Sequence, residues 1–337
     1  MESIPSTMRA VVIDSYTAGI DHVKVEERPT PVPNAGEVLV RIAATPINPS
    51  DLSFIQGRYG VRKSLPTVPG FEASGTVVAV GEGLLEESWV GKRVACFAND
   101  GDGTWAEYMA TTPENCLPLP DNVSDEQGAM ALVNPLTAYA LMDKAQSMGV
   151  GAVVQTAAAS ALGKMIVRLG QRMEIGVVNV VRRDGQIAEL QAVDAQYILN
   201  STEPTFEKHL REACRQLDVR LGFDAVGGEM TGRVLRAMPN GGHIIVYGGL
   251  ADAPSEIGVD QLIFRNKSVS GFWLPLWIRD QGVEGMAKAW REVQTWIGGD
   301  FQTDVRARYT LDAVQEALHD YTGQMTGGKV LFVNEDE

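Results

Sequence analysis

The sequence predicts an α/β chain in two parts: a doubly wound parallel sheet covered by helices, and a smaller, mostly antiparallel β-domain. Three observations predict it. At 337 residues the chain exceeds the size that one hydrophobic core organises. From about residue 8 to residue 116, short β-branched runs are cut by Gly and Pro. From residue 152 onward, continuous apolar strands alternate with helical periods, the pattern of a parallel sheet buried on both faces.

In the first part MRAVVID, HVKVEE, GEVLVRIAAT, GTVVAVG, GKRVACFA and TWAEYMAT read as strands. The segment SDEQGAMALVNPLTAYALMDKA then changes period: Met130, Leu132, Val133 and Leu136 are spaced for a helix, with an interruption expected at Pro135. AVVQTA opens the second part as a strand, followed by helix ALGKMIVRLGQRM and strands IGVVNVV and DAQYIL. EPTFEKHLREACRQL (helix), LGFDAV (strand), GEMTGRVLRAM (helix), HIIVYGG and SVSGFW (strands) complete the alternation. After Trp273 the chain is expected to return to the first domain through the amphipathic helices GVEGMAKAWREVQTWI and LDAVQEALHDY and the strand GKVLFVN.

Bulk properties narrow the partners. Hydrophobic residues at 45% and charged residues at 21% describe an ordinary globular protein. A formal net charge of −14 argues against nucleic acid or an anionic membrane as the main partner, because phosphates need a basic footprint. No apolar run approaches the ~20 residues that span a bilayer, and no signal peptide is legible. Cys96, Cys116 and Cys214 are isolated, which suits a reducing compartment, so a cytoplasmic location is expected.

A strand-to-helix turn of small residues lets a pyrophosphate approach backbone N–H groups at a helix N-terminus. Here that turn runs from Ala157 through Ala159, Ser160, Ala161 and Leu162 to Gly163, the one glycine that matches the G-x-G-x-x-G fingerprint. About twenty residues on, the second strand ends in VVRRD, placing Arg182 and Arg183 where an NAD enzyme presents an acid to the ribose. Guanidinium forks pair with a phosphomonoester, so NADP(H) is expected, although two arginines beside Asp184 also fit a solvated loop. Gly227, Gly228, Gly248 and Gly249 end later strands and are candidate backbone contacts; turn chemistry alone would also explain them.

The blocks INPSDLSFIQGRYG, VNPLTAY, VVRRD, IVYGGL and LIFRNKSVSGFWLPLW together resemble the zinc-free, quinone-oxidoreductase-like branch of the medium-chain dehydrogenase/reductases. Within that branch the chain is most similar to mitochondrial-type trans-2-enoyl thioester (CoA/ACP) reductases. The resemblance implies a Rossmann-type doubly wound parallel sheet over residues 128–275 and a GroES-like, mostly β catalytic domain built from 1–127 and 276–337. It implies that Tyr59 is the proton-donating tyrosine and that Asn134 lies beside the nicotinamide. Arg182 and Arg183 fall at the adenosine phosphate, while Tyr247, Gly248, Gly249, Leu250, Phe272, Trp273, Leu274 and Lys329 fall at cofactor-contacting segments. Ala161 and Leu162 depart from the family's Gly-Val pair. Asn48 and Phe71 stand where zinc-dependent members carry a cysteine and a histidine, so no metal site is expected. A homodimer joined edge to edge through HIIVYGG and SVSGFW is implied as well.

The chemistry follows from conjugation. A double bond conjugated to a carbonyl takes hydride at its β carbon, and the enolate then needs stabilisation and a proton at its α carbon. A phenol with a reference pKa of about 10 still holds its proton at neutral pH, so Tyr59 can donate. Asn134 or Tyr59 can stabilise the oxyanion. The leading expectation is an NADPH-dependent enoyl thioester reductase; a quinone or enone reductase without thioester preference needs the same parts. A basic patch of Arg58, Arg62 or Lys63 would favour the thioester. A dinucleotide-binding structural or regulatory protein without turnover is the alternative outside enzymology. His22, His209, His243 and His319 are scattered and read as structural, as does Glu72; Trp273 and Trp277 fit either an acyl pocket or a buried seam.

Overall fold

The computed structural model describes residues 4–98 and 101–334. The chain divides into two compact units, one running to Val133 and resuming at Glu292, the other spanning Asn134–Arg291.

The first unit opens with β1 (Thr7–Val12) and β2 (Lys24–Pro29), an antiparallel two-stranded sheet. β3 (Val38–Pro46), α1 (Pro49–Ile55), β4 (Glu72–Val80), α2 (Glu86–Trp89), β5 (Arg93–Phe97), β6 (Tyr108–Thr111), β7 (Cys116–Pro118) and α3 (Asp125–Ala129) follow. In β1 the alternation holds over the first four residues, with Met8 and Ala10 buried and Thr7 and Arg9 exposed, before Val11 and Val12 are both buried.

The second unit begins within α4 (Val133–Ser147) and continues through β8 (Ala152–Gln155), α5 (Ala161–Arg172), β9 (Gly176–Val181), α6 (Gly185–Gln191), β10 (Ile198–Asn200) and α7 (Phe206–Gln216). It then runs through β11 (Leu221–Asp224), α8 (Gly228–Ala237), β12 (His243–Val246), α9 (Val259–Ile263), β13 (Ser268–Gly271) and into α10 (Leu274–Ile297). Its sheet is parallel throughout, in the order β10-β9-β8-β11-β12-β13. Val154, Val178, Val180, Phe206, Leu210 and Ile244 form its core with α7 and α8.

Back in the first unit, β14 (Val305–Tyr309), α11 (Val314–Gly323) and β15 (Lys329–Val333) complete a seven-stranded sheet. Its order is β14-β15-β3-β4-β5-β7, with β6 also on β3. Phe54, Trp105, Phe332, Ile13 and Ile47 lie at the heart of this unit, and the Trp105 indole satisfies its N–H on the Pro46 carbonyl at 3.3 Å.

The helix expected around Pro135 is broken earlier than the sequence suggests. The break falls at Met130–Leu132, and Pro135 sits in the first turn of α4, where a missing N–H forfeits no intrahelical bond. α10 is interrupted at Gly282 (φ 62°, ψ −173°), so its second half starts where the sequence pattern places a helix.

Candidate active site

The strand order of the parallel sheet determines which turns become neighbours. From β8 the chain moves outward to β9 and β10, then crosses back to β11, β12 and β13. The turns after β9, β8, β11, β12 and β13 therefore line up along the C-terminal edge of the sheet, around the point where the order reverses.

After β8, Ala157 adopts φ 49°, a conformation that L side chains seldom take. The Ala158 N–H is held by the Val180 carbonyl at 3.2 Å. Ser160 then caps α5 by accepting from the Gly163 N–H at 3.1 Å. Gly163 is required by packing, since a Cβ there would lie 2.3 Å from the Ala158 carbonyl oxygen. Leu162 is buried in the helix's inner face.

Arg182 and Arg183 follow β9 and are both exposed. Their backbone N–H groups donate to one atom, Gln186 Oε1, at 3.0 and 3.1 Å, which folds the loop into α6.

At the end of β11 the buried Asp224 accepts from Thr156 Oγ1 at 2.7 Å, the Val226 N–H at 2.9 Å and Thr231 Oγ1 at 2.6 Å, so one carboxylate ties β8, β11 and α8 together. Tyr247 N–H donates to the Asp224 carbonyl at 2.9 Å. The Tyr247 hydroxyl is buried with no hydrogen-bond partner among the described residues, and burial pushes its pKa well above the usual phenol value. Gly248 presses on Ala225, Gly249 faces open space, and Leu250 is exposed. After β13, the Phe272 N–H bonds the Val246 carbonyl at 2.9 Å, leading into Trp273 and Leu274. Tyr139 of α4 meets Trp277 edge to face at 6.2 Å.

This set fits a dinucleotide. It combines a capped helix start behind a small-residue turn, two exposed guanidinium side chains where the second strand ends, and a buried phenol lacking a partner.

In the first unit α1 ends at Gln56, and Gly57 turns the chain with φ 69°. The N–H groups of Arg58 and Tyr59 both donate to the Ser53 carbonyl, at 2.8 and 3.1 Å. Tyr59 is half-buried, with its ring against Phe71 at 4.7 Å between centroids. Phe71 in turn meets Phe54 at 5.7 Å, and Phe54 meets Tyr16 at 5.6 Å, both edge to face. The Tyr16 hydroxyl accepts from the Lys63 N–H at 2.7 Å and donates to the Lys63 carbonyl at 3.0 Å. Arg58 and Arg62 bond Gln56 and the Gly57 carbonyl of this same loop, while Lys63 ties it to the Gly101 carbonyl.

The same unit holds a buried polar cluster. Asn48, Asp51, Glu72 and Lys329 are 2%, 0%, 1% and 7% exposed. Lys329 Nζ donates to Asn48 Oδ1, and Asn48 Nδ2 donates to Glu72 Oε1 at 2.9 Å. Glu72 Oε2 accepts the N–H groups of Val133 at 2.8 Å and Leu132 at 3.2 Å. Asp51 accepts the Asn48 N–H at 2.7 Å, while its other oxygen has no partner. Burial raises the Asp51 pKa to about 8 and also raises that of Glu72; burial lowers that of Lys329. Lys329 thus opens β15 with its ammonium inside the first unit, and Asn134 is the second residue of α4, half-buried. Among the described residues no group of three or more His, Cys, Asp or Glu is placed to hold a metal ion. His22 and His243 bond hydroxyls of Thr17, Ser268 and Ser270, as structural histidines do.

Residues 34–121 match the alcohol dehydrogenase GroES-like domain and residues 161–292 the zinc-binding dehydrogenase domain. The chain is a medium-chain dehydrogenase/reductase of the zinc-free, quinone-oxidoreductase-like branch. This reductase is 31% identical over 287 residues to the human mitochondrial enoyl-[acyl-carrier-protein] reductase, covering 82% of this chain and 75% of that one. It superposes on a candidate NADPH:quinone reductase of Mesorhizobium loti with a TM-score of 0.91 and 35% identity, covering 99% of this chain and 100% of the other. An enoyl thioester reductase from Candida tropicalis shares the fold at 22% identity, with a TM-score of 0.82 and coverage of 97% and 100%. The fold is accordingly GroES-like plus Rossmann-type.

Proposed function

We propose that this chain reduces a carbon–carbon double bond conjugated to a carbonyl, with NADPH as donor and a trans-2-enoyl thioester as the leading substrate class. NADPH, when bound, supplies hydride to the β carbon. The chain's own residues do the rest. Arg182 and Arg183 pair with the adenosine phosphate, and the Ala159–Gly163 turn at the start of α5 takes the pyrophosphate. Tyr247 to Leu250 and Phe272 to Leu274 line the remainder of that edge, and Asn134 orients the nicotinamide end. Tyr59 delivers its phenolic proton to the α carbon. We assign Lys329 an indirect part, through Asn48 and Glu72.

The observation that carries this reading is the contact between Tyr59 and Phe71. An aromatic ring stands where a zinc-dependent relative keeps a ligand, and it supports the phenol. Catalysis then needs no metal.

The test is a panel of crotonyl-CoA, a simple enone and a quinone, run with NADPH on wild type and Tyr59→Phe. Crotonyl-CoA reduction that falls roughly 100- to 10,000-fold in Tyr59→Phe, with NADPH affinity unchanged, is expected. A silent crotonyl-CoA assay with active enone or quinone turnover would replace the thioester by the second reading. One observation favours that reading: Arg58 and Arg62 already bond Gln56 and the Gly57 carbonyl of their own loop, and Lys63 the Gly101 carbonyl. NADPH binding with no turnover of any acceptor would leave a dinucleotide-binding regulatory protein.

The free, buried cysteines accord with a reducing compartment, and we propose the cytoplasm; no helix among the described residues is long and apolar enough to cross a membrane. We also propose a homodimer joined through the β13 edge of the parallel sheet.

A further inference from the structure

The first four N–H groups of a helix have no intrahelical partner, so something else must define where the helix begins. Before α4 stands Leu132, whose side chain cannot cap. The third residue of α4, Pro135, has no N–H to offer. The acceptor comes instead from β4: Glu72 Oε2 takes the N–H groups of Leu132 and Val133. Its other oxygen takes the Asn48 amide, which is anchored by Lys329. The carboxyl thus acts only as an acceptor in these bonds, as a carboxylate does.

A carboxylate and an ammonium buried to this depth are expensive to desolvate, and their attraction returns little net stability. What such a network does secure is geometry. The residue immediately after the two captured N–H groups is Asn134.

We propose that Glu72 is the positioning residue of Asn134: from β4, and steadied by Asn48 and Lys329, it fixes the start of α4 and thereby the orientation in which Asn134 is presented. This rests on the reading that Asn134 acts beside the nicotinamide.

A double-mutant cycle tests it in the full-length chain. Glu72→Gln keeps the side chain's size and one acceptor but removes the carboxylate; Asn134→Ala removes the group it is held to position. Asn48→Ser, which keeps a good cap for α1 and severs the link to Lys329, is the second variant should Glu72→Gln fold poorly. Three quantities are read: kcat/KM with the best conjugated acceptor, the Kd for NADPH by fluorescence titration, and hydrogen–deuterium exchange of the peptide covering residues 130–136.

Glu72→Gln is expected to lower kcat/KM roughly 10- to 100-fold in the wild-type background and hardly at all in Asn134→Ala. Faster exchange at 130–136 should accompany it, with exchange elsewhere in α4 unchanged, and Asn48→Ser should fall in the same direction. The same factor lost in both backgrounds, or unchanged exchange at 130–136, would overturn the proposal. Wild-type activity in Asn134→Ala alone would overturn the underlying reading of Asn134 and this link with it, so the two failures are told apart.

Discussion

A phenol proposed to donate a proton must be aimed, and the ring of Tyr59 takes its support from an aromatic row that begins at Phe71. Phe71 carries its ring, Phe54 backs Phe71, and Tyr16 closes the row while clasping Lys63. Phe71→Leu stays apolar and removes the ring contact, so about 0.5–1.5 kcal/mol of stability should go with the aromatic pair. A larger effect is expected on kcat, at unchanged KM for NADPH, because only the phenol is misdirected. Stopped-flow reduction rates beside thermal unfolding would check it, and a kcat loss no greater than the stability loss predicts would sink it. Asp51 makes a second prediction at this scale. Its folded pKa of about 8 lies above the value near 3.9 of an unfolded aspartate, so the folded state binds the proton more tightly. Stability from this group is complete below pH 4 and is lost as pH rises toward 8. Asp51→Asn, which cannot ionise, should therefore flatten the decline in Tm between about pH 5 and pH 8. Melting curves at several pH values would show it; parallel curves for the two proteins would refute the assignment.

Elements place these residues, and some were legible in the sequence while others were not. The buried strands and helices announced themselves in the sequence: α5 and α7 by apolar spacing, β8 and β9 by their valine pairs. α1, α6 and β14 carried no such signal, because α1 and α6 are two turns long and β14 is an edge strand whose residues are only partly buried. The Tyr59 motif could be read, but its support could not, since Tyr16 and Phe71 lie outside that block and meet Phe54 and Tyr59 only through packing. The Glu72 cap was missed for the same reason; an apolar Leu132 and a donorless Pro135 at the start of a helix were the available hint. The α1-to-Tyr59 turn supports a prediction of its own. Gly57 has φ 69°, and a Cβ there would lie 2.8 Å from that of Tyr16. Gly57→Ala should cost roughly 1 kcal/mol or more and shift Tyr59, lowering kcat; an alanine variant with wild-type kcat would show that the turn does not set the phenol. The loop after β9 yields another. Changing Arg182 and Arg183 together to alanine should raise the KM for NADPH roughly 10- to 100-fold, leave that for NADH in place, and so erase the preference. An unaltered NADPH/NADH ratio would assign the two arginines to solvent.

At the scale of the whole molecule, the parallel sheet ends at β13, a strand whose outer hydrogen-bonding side has no neighbour within the sheet. Bare edges invite pairing with a second copy, and this one is short and carries Ser268 and Ser270 rather than lysine or proline to block it. Preceding it, α9 and the residue that ends it expose Val259 at 64%, Ile263 at 65% and Phe264 at 78%, more apolar surface than a short helix of a solitary molecule ordinarily shows. Antiparallel pairing of two β13 edges, with α9 covering the seam, would extend two six-stranded sheets into one continuous sheet and bury these side chains. A stable interface needs about 1,000 Å² or more, which a strand pair alone does not provide, so the α9 side chains carry the energetic part. Wild type is accordingly expected to sediment as a dimer at micromolar concentration. Ile263→Asp combined with Phe264→Glu should convert it to monomer while leaving the strand content of the circular dichroism spectrum intact, because both side chains are already exposed within the single chain. Analytical ultracentrifugation of the two proteins decides between outcomes: a wild-type monomer, or a dimer that survives both charges, would move the contact away from β13 and α9.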